Sequence, residues 1–228
     1  MLMTDITIIL LTLNRVPEKW AEFHKKVLLE AIGDTPVIAI SRVPMDWEIN
    51  LLQKDPPSVS NIYRQLLRGA KEAITPYIAV VEDDTLYPAE HFKFRPKDDE
   101  FLYNMSRWGI LSWAKNPVYF YRHRESNSTL IAPRKLVIKC LEERFEKYPG
   151  DSAEWMVGEM GKEKVERRFG LKKYKSVRVH SHDPVINFHH VNGIDKLEQS
   201  KRKSDRKALI AYDIPKWGRA EDVVKYFV

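Results

Sequence analysis

The chain has 228 residues and nowhere runs 18 apolar residues together, so no helix is expected to cross a bilayer. It has a single cysteine, Cys140, which excludes an intramolecular disulfide. Set in an apolar, helix-like stretch, that thiol is expected to be buried in a protein of a reducing compartment. No Gly-x-Gly-x-x-Gly follows the first apolar run and there is no Walker sequence, which speaks against a dinucleotide-binding Rossmann domain and a P-loop enzyme. There is no internal repeat and no low-complexity tract. The opening Met1-Leu2-Met3-Thr4-Asp5 has no basic region, which argues against a signal peptide; a cytoplasmic location is expected, or host cytoplasm if the source is viral.

What is present is the composition of a soluble globular protein, 43% hydrophobic and 31% charged, with ample length for a sizeable core. The net charge of +6 is unevenly placed: residues 162–207 hold 14 Lys+Arg against 6 Asp+Glu. Such asymmetry points to a polyanionic partner, whether nucleic acid, phosphate groups or an anionic membrane.

The most informative stretch is Tyr77-Ile78-Ala79-Val80-Val81-Glu82-Asp83-Asp84. The apolar run has the profile of a strand buried on both faces. Three adjacent carboxylates at its end repel one another and raise one another's pKa unless a positive charge sits beside them. A divalent cation between carboxylates and phosphate would supply it, and oxygen ligands suit Mg²⁺ or Mn²⁺. In open α/β sheets, ligands bind at the C-terminal ends of the strands. The plain alternative is a solvated acidic turn.

Around it, residues 6–13 and 36–41 read as strands, with a helix from Pro17 to Ile32 closed by Gly33: a βαβ unit with parallel pairing. Asn14-Arg15 ends the first strand, where Arg is placed to pair with phosphate and Asn to make the turn. Residues 42–57 read as irregular. Ser58-Val59-Ser60 caps a helix from Asn61 to Ala73, with Asn61 and Arg64 at its N-terminus, a favourable place for an anion. Further on, Val118–Arg124 and Thr129–Pro133 read as a hairpin, and Arg134–Tyr148 as a helix.

Taken in order, Asn14-Arg15, Asn61-x-x-Arg64 with Gly69 and Ala73, Thr75-Pro76-Tyr77-Ile78 and Glu82-Asp83-Asp84 resemble the nucleotide-sugar-binding half of GT-A glycosyltransferases of the family 2 type, over roughly residues 6–90. The resemblance implies a single α/β domain over residues 1–228, with a central, mostly parallel or mixed sheet flanked by helices. Residues 1–90 would form the nucleotide-sugar half, 91–195 the acceptor side, and 196–228 a basic segment and tail. It implies a metal-dependent transfer from a nucleoside-diphosphate sugar to an acceptor hydroxyl, with Mn²⁺ or Mg²⁺. Asn14, Arg15, Asn61, Arg64, Glu82 and Asp83 would meet the nucleotide. Asp84, with Glu82 and with His189 or His190, would hold the metal. Glu82 stands where the family has Asp. Lys201 and Arg202, with Lys203 and Arg206, would clamp the diphosphate.

Inverting transfer needs a carboxylate to take the acceptor proton. The family's pattern points to Glu154, with Asp151 second and Glu159 third; Asp151 as an N-cap and Glu154 as a first-turn acid is an equally good reading. Four of the seven histidines, His180, His182, His189 and His190, fall within eleven residues, so a separate zinc site or a surface cluster are alternatives. The basic segment fits DNA as acceptor, as in bacteriophage enzymes that glucosylate modified bases, while a glycan is the more usual family choice. A different class, a metal-dependent nucleic-acid-binding or phosphodiester-cleaving protein, would use the same acids and histidines in two-metal chemistry.

Overall fold

The computed structural model describes residues 4–150, 159–190 and 209–227. In chain order the elements are strand β1 (Ile6–Leu11), helix α1 (Glu18–Ile32), β2 (Val37–Ser41), β3 (Ile49–Leu52), α2 (Val59–Glu72), β4 (Tyr77–Glu82) and β5 (Thr85–Leu86). Then follow β6 (Glu100–Asn104), β7 (Arg107–Leu111), β8 (Tyr119–Tyr121), β9 (Leu130–Pro133), α3 (Arg134–Lys147), α4 (Glu163–Arg168), β10 (Lys175–Val179) and β11 (Val185–His189). The C-terminal part adds β12 (Ile210–Ala211), β13 (Asp213–Ile214), β14 (Gly218–Arg219) and α5 (Ala220–Val224).

Among the described residues, seven strands form one sheet in the order β10-β6-β9-β4-β1-β2-β3. The pairings β4–β1, β1–β2, β2–β3 and β10–β6 are parallel, and β9 runs antiparallel to both neighbours. A five-stranded sheet, β12-β8-β7-β11-β5, lies beside it. This is the α/β architecture with a mostly parallel sheet flanked by helices that the GT-A resemblance implies.

The strand-like run at 77–82 is central because both of its faces are apolar. Ile78 and Val80 pack with Leu66, Val137 and Leu141 of α2 and α3, while Ala79 and Val81 pack with Leu28 and Ile32 of α1. α1 buries Trp20, His24, Leu28 and Ile32, one side chain per turn, and ends where Gly33 turns at φ +57° and its N–H donates to the Leu29 carbonyl. α2 starts as expected: the Ser58 hydroxyl accepts the Asn61 N–H at 3.0 Å. Cys140 is buried on α3, and burial pushes its thiol up to about 12.

Two expectations are corrected. The segments at 118–124 and 129–133 are not a hairpin: β8 pairs with β7 and β12 in the smaller sheet, whereas β9 pairs with β4 and β6 in the larger one. The intervening residues carry the chain between sheets. The stretch at 42–57 is not wholly irregular, since Ile49–Leu52 adds a parallel edge strand to β2. That strand pairs along the backbone while its side chains stay half-buried or exposed, so it leaves little apolar pattern.

Candidate functional site

The ends of β1, β4 and β11 and the start of α2 surround a cavity of about 480 Å³. Its lining includes the apolar Leu11, Ile40, Val59 and Ile62 and the amides of Gln53, Asn61 and Gln65. There Asn61 Nδ2 donates to Gln53 Oε1 at 3.3 Å, and Gln65 Nε2 donates to Asn61 Oδ1 at 2.8 Å and to Asp55 Oδ2 at 3.0 Å. These two acceptors fix the Gln65 amide, leaving its buried Oε1 with no donor among the described residues. Apolar walls with a few fixed polar groups suit a planar, hydrogen-bonding ligand.

Glu82, Asp83 and Asp84 all line the cavity. Asp83 is braced: its carboxylate accepts the Thr12 hydroxyl, and its backbone carbonyl accepts Trp20 Nε1 at 2.7 Å. Burial, then the neighbouring Asp84 charge, pushes its carboxyl up to about 7. This is the mutual repulsion expected of adjacent acids. Asp84 Oδ1 accepts the Thr85 hydroxyl at 3.0 Å, and its Oδ2 lies 3.6 Å from His190 Nε2. The His190 ring is largely buried against Phe227, and its Nδ1 has no partner among the described residues.

The adjacent His189 also lines the cavity. It stacks on Phe120 at 5.6 Å between ring centroids, with Nε2 close over Gly109. Of the two histidines, His190 is the one whose ring nitrogen lies beside the Asp84 carboxylate. His180 and His182 do not line the cavity, and His182 is held by Glu90 and Asp183. Among the described residues, no three His, Cys, Asp or Glu side chains converge as a ready-made metal cage. Asp84 with His190 is nonetheless a donor set that suits Mg²⁺ or Mn²⁺, which take one or two protein ligands and complete their shell with phosphate and water.

Other expected residues divide. Arg15 and Asn61 line the cavity. Asn14 does not: at φ +54° its Oδ1 accepts the backbone N–H groups of Arg42 at 2.7 Å and Val43 at 3.3 Å, fixing the turn after β2. Arg64 does not either; it turns to α3, donating to the Pro149 carbonyl at 2.9 Å with its guanidinium 4.5 Å from the Phe145 ring centre. Asp151, Glu154, Lys201, Arg202, Lys203 and Arg206 lie outside the described residues. Glu159 lines the cavity and pairs with Lys162.

Sequence reasoning missed Arg107. It lies in the wall of the same cavity, 4% exposed, with Nε donating to Asn187 Oδ1 and Nη1 without a partner among the described residues. Burial, then the nearby Arg124, brings its pKa down to about 10. Asn187 donates in turn to the Thr85 hydroxyl, so a chain of side chains links Arg107 to Asp84. The cavity lining thus holds the cations Arg107, Arg124 and Lys162 together with the acidic triplet and Glu159.

No protein-family model and no curated protein sequence matches the chain. Among solved structures, the chain is similar to a glycosyltransferase involved in glycosylation of the major capsid of PBCV-1, at TM-score 0.50 and 9% identity, covering 81% of this chain and 92% of that one. It also matches the mannosyltransferase PcManGT from Pyrobaculum calidifontis, in complex with GDP-Man and Mn²⁺, at TM-score 0.44 and 11% identity over 81% and 56%. The bifunctional IspDF from Campylobacter jejuni matches at TM-score 0.39 and 12% identity, the chain spanning about half of that protein's length, 50%, from 79% of its own. At such identities the likeness is one of fold, and the chain has the α/β fold of the capsid glycosyltransferase.

Proposed function

We propose that the protein is a metal-dependent glycosyltransferase that moves a sugar from a nucleoside diphosphate to an acceptor hydroxyl. The observation that carries this reading is the approach of Asp84 and His190, 3.6 Å apart, in the lining of a cavity that also carries apolar side chains and the amides of Gln53, Asn61 and Gln65. A base and ribose suit the lining from β1, β2 and α2, with Asn61, Gln53 and Gln65 as polar contacts. The diphosphate then reaches the acidic triplet. Asp84 and His190 would hold Mn²⁺ or Mg²⁺, whose charge offsets that developing on the leaving diphosphate. Arg107 and Arg124 face the same space, and a cation held in place before reaction stabilises charge without reorganisation. Asp83, tied to Thr12 and Trp20, positions the strand end that carries Asp84.

Transfer with inversion requires one carboxylate near the acceptor hydroxyl. We propose Glu154 as that base, with Asp151 the second choice, both outside the described residues, and Glu159, which lines the cavity, the third. Replacing Asp84 with Ala is expected to abolish both donor hydrolysis and metal-dependent nucleotide binding while leaving the fold intact, since Asp84 is a half-buried turn residue. Unchanged hydrolysis in a folded Asp84→Ala protein would remove the metal site from the reading.

A further inference from the structure

A second concavity, about 1210 Å³, opens beside the first between α3, α4 and β10. Eight cationic side chains and four acids line it. Half of the cations are neutralised nearby: Lys162 and Arg178 pair with the buried Glu125 at 3.6 and 2.9 Å, Lys173 with Glu163 at 3.1 Å, and Lys175 with Glu100 at 2.5 Å. The other four, Lys135, Lys139, Lys164 and Lys172, are exposed and have no carboxylate within ion-pairing distance among the described residues. Lys135 and Lys139 stand one turn apart on α3, and Lys164 and Lys172 come from α4 and the approach to β10. Lys172 lies 5.7 Å over the Tyr174 ring, and Asp98 and Asp99 share the lining, yet eight cations against four acids leave the groove net positive, which favours a polyanion laid along it.

The groove is continuous in its lining with the cavity of the acidic triplet, because Lys162 lines both. Among the described residues, Tyr174 is the only aromatic side chain along it. Single-stranded nucleic acid is usually gripped by rows of stacking aromatics. Lysines without such a platform contact phosphate as point charges and read no base. A duplex presents the greatest linear charge density, about one charge per 1.7 Å of its axis.

From this we infer that the groove between α3, α4 and β10 seats the phosphodiester backbone of a duplex nucleic acid, and that a hydroxyl carried by a base or sugar of that duplex enters the adjoining cavity as acceptor. The inference rests on the transferase reading for the acceptor role, and on the groove alone for binding.

The test is fluorescence anisotropy with a labelled DNA duplex of about 20 base pairs, at 50 and 200 mM salt, on the wild-type chain and on Lys135→Glu/Lys139→Glu. Engaging the four free lysines predicts a log–log salt slope near −3.6, or about a hundredfold loss of affinity over that fourfold salt range. The double variant changes only exposed α3 side chains, so its melting temperature should match the wild type. Its affinity should fall at least tenfold, and its slope should be shallower by about 2. A salt-independent wild type, an unaffected double variant, or tighter binding to a carboxylated glycan such as hyaluronate would each overturn the assignment. Thermal shift with a nucleoside diphosphate and Mn²⁺, run on both proteins, separates the two readings. Loss of duplex binding with the nucleotide shift intact indicts the groove variant alone, whereas duplex binding with no nucleotide shift refutes the transferase and leaves the groove.

Discussion

Replacing Arg107 with Met separates two effects of one buried cation. Its pKa is brought from the ordinary 12.5 to about 10, chiefly by burial. At about 1.4 kcal/mol per pKa unit, keeping that charge in place costs on the order of 3 kcal/mol. The hydrogen bond from Nε to Asn187 Oδ1 returns roughly 1.5–3 kcal/mol, as is usual where one partner is charged. Methionine removes both, and its flexible thioether fills most of the vacated space. The unfolding free energy of Arg107→Met should therefore fall by no more than about 2 kcal/mol, since relief of the buried charge offsets part of the cost of leaving the buried Asn187 Oδ1 with only the Ser128 hydroxyl at 3.5 Å. Binding should change as well. A charged hydrogen bond to phosphate contributes roughly 1.5–3 kcal/mol, so the Kd for a nucleoside diphosphate with Mn²⁺ should rise roughly 10- to 150-fold. Urea denaturation and titration calorimetry give the two numbers on one preparation. A variant destabilised by more than about 2 kcal/mol with an unchanged Kd would show that Arg107 serves the fold and not an anion.

His91 is wholly buried, and burial lowers its pKa to about 3 against an ordinary 6.5. Its stabilising neutral state is present above 6.5 and is lost as pH falls toward 3, because the unfolded chain takes up the proton first. Between pH 7 and pH 5, wild type should lose about 2 kcal/mol relative to His91→Gln, measured by denaturation at both pH values; parallel pH profiles would refute the burial argument. Gly69→Ala would bring a Cβ to 2.8 Å from Ile9 Cγ2 and 3.1 Å from Ile40 Cδ1, where α2 crosses the sheet. It should lower stability by about 1–3 kcal/mol in the same assay, and an unchanged midpoint would mean that the helix shifts freely. Thr12→Val leaves the Asp83 carboxylate without its hydroxyl donor, so the variant's stability should fall more steeply with rising pH than that of wild type. An equal slope in both proteins would remove Thr12 as a brace.

The parallel strands and helices of the first 90 residues were legible because their signals are local. The run at 77–81 is apolar on both faces, Ser58 is three residues ahead of the N–H it caps, and Gly33 follows the last buried turn of α1. The pairing of β8 and β9 was not legible, since alternation marks a strand without naming its partner. Arg64 shows the same limit on a helix. Periodicity puts it off the apolar stripe, and only the packing of α2 beside α3 turns it toward Phe145 rather than the cavity. Arg107 stood in an unremarkable Asn104-Met105-Ser106-Arg107 stretch, and its place depends on Asn187, 80 residues later and one strand away. Nothing local in the sequence separates His189 from His190, since both line the cavity and the contact of His190 with Asp84 depends on residues over a hundred positions apart.

The most direct test is thermal shift with UDP, GDP, CDP, TDP and ADP, each with and without Mn²⁺, on wild type and Asp84→Asn. A ligand that binds only the native state raises its melting temperature, by an amount set by its concentration over Kd. One diphosphate should stabilise wild type only when metal is present, and Asp84→Asn should lose that metal-dependent increment. No shift with any of the five, or a shift independent of both metal and Asp84, would contradict a metal-held nucleotide donor. The acidic end of β4 would then stand as a phosphodiester-cleaving site or a solvated turn.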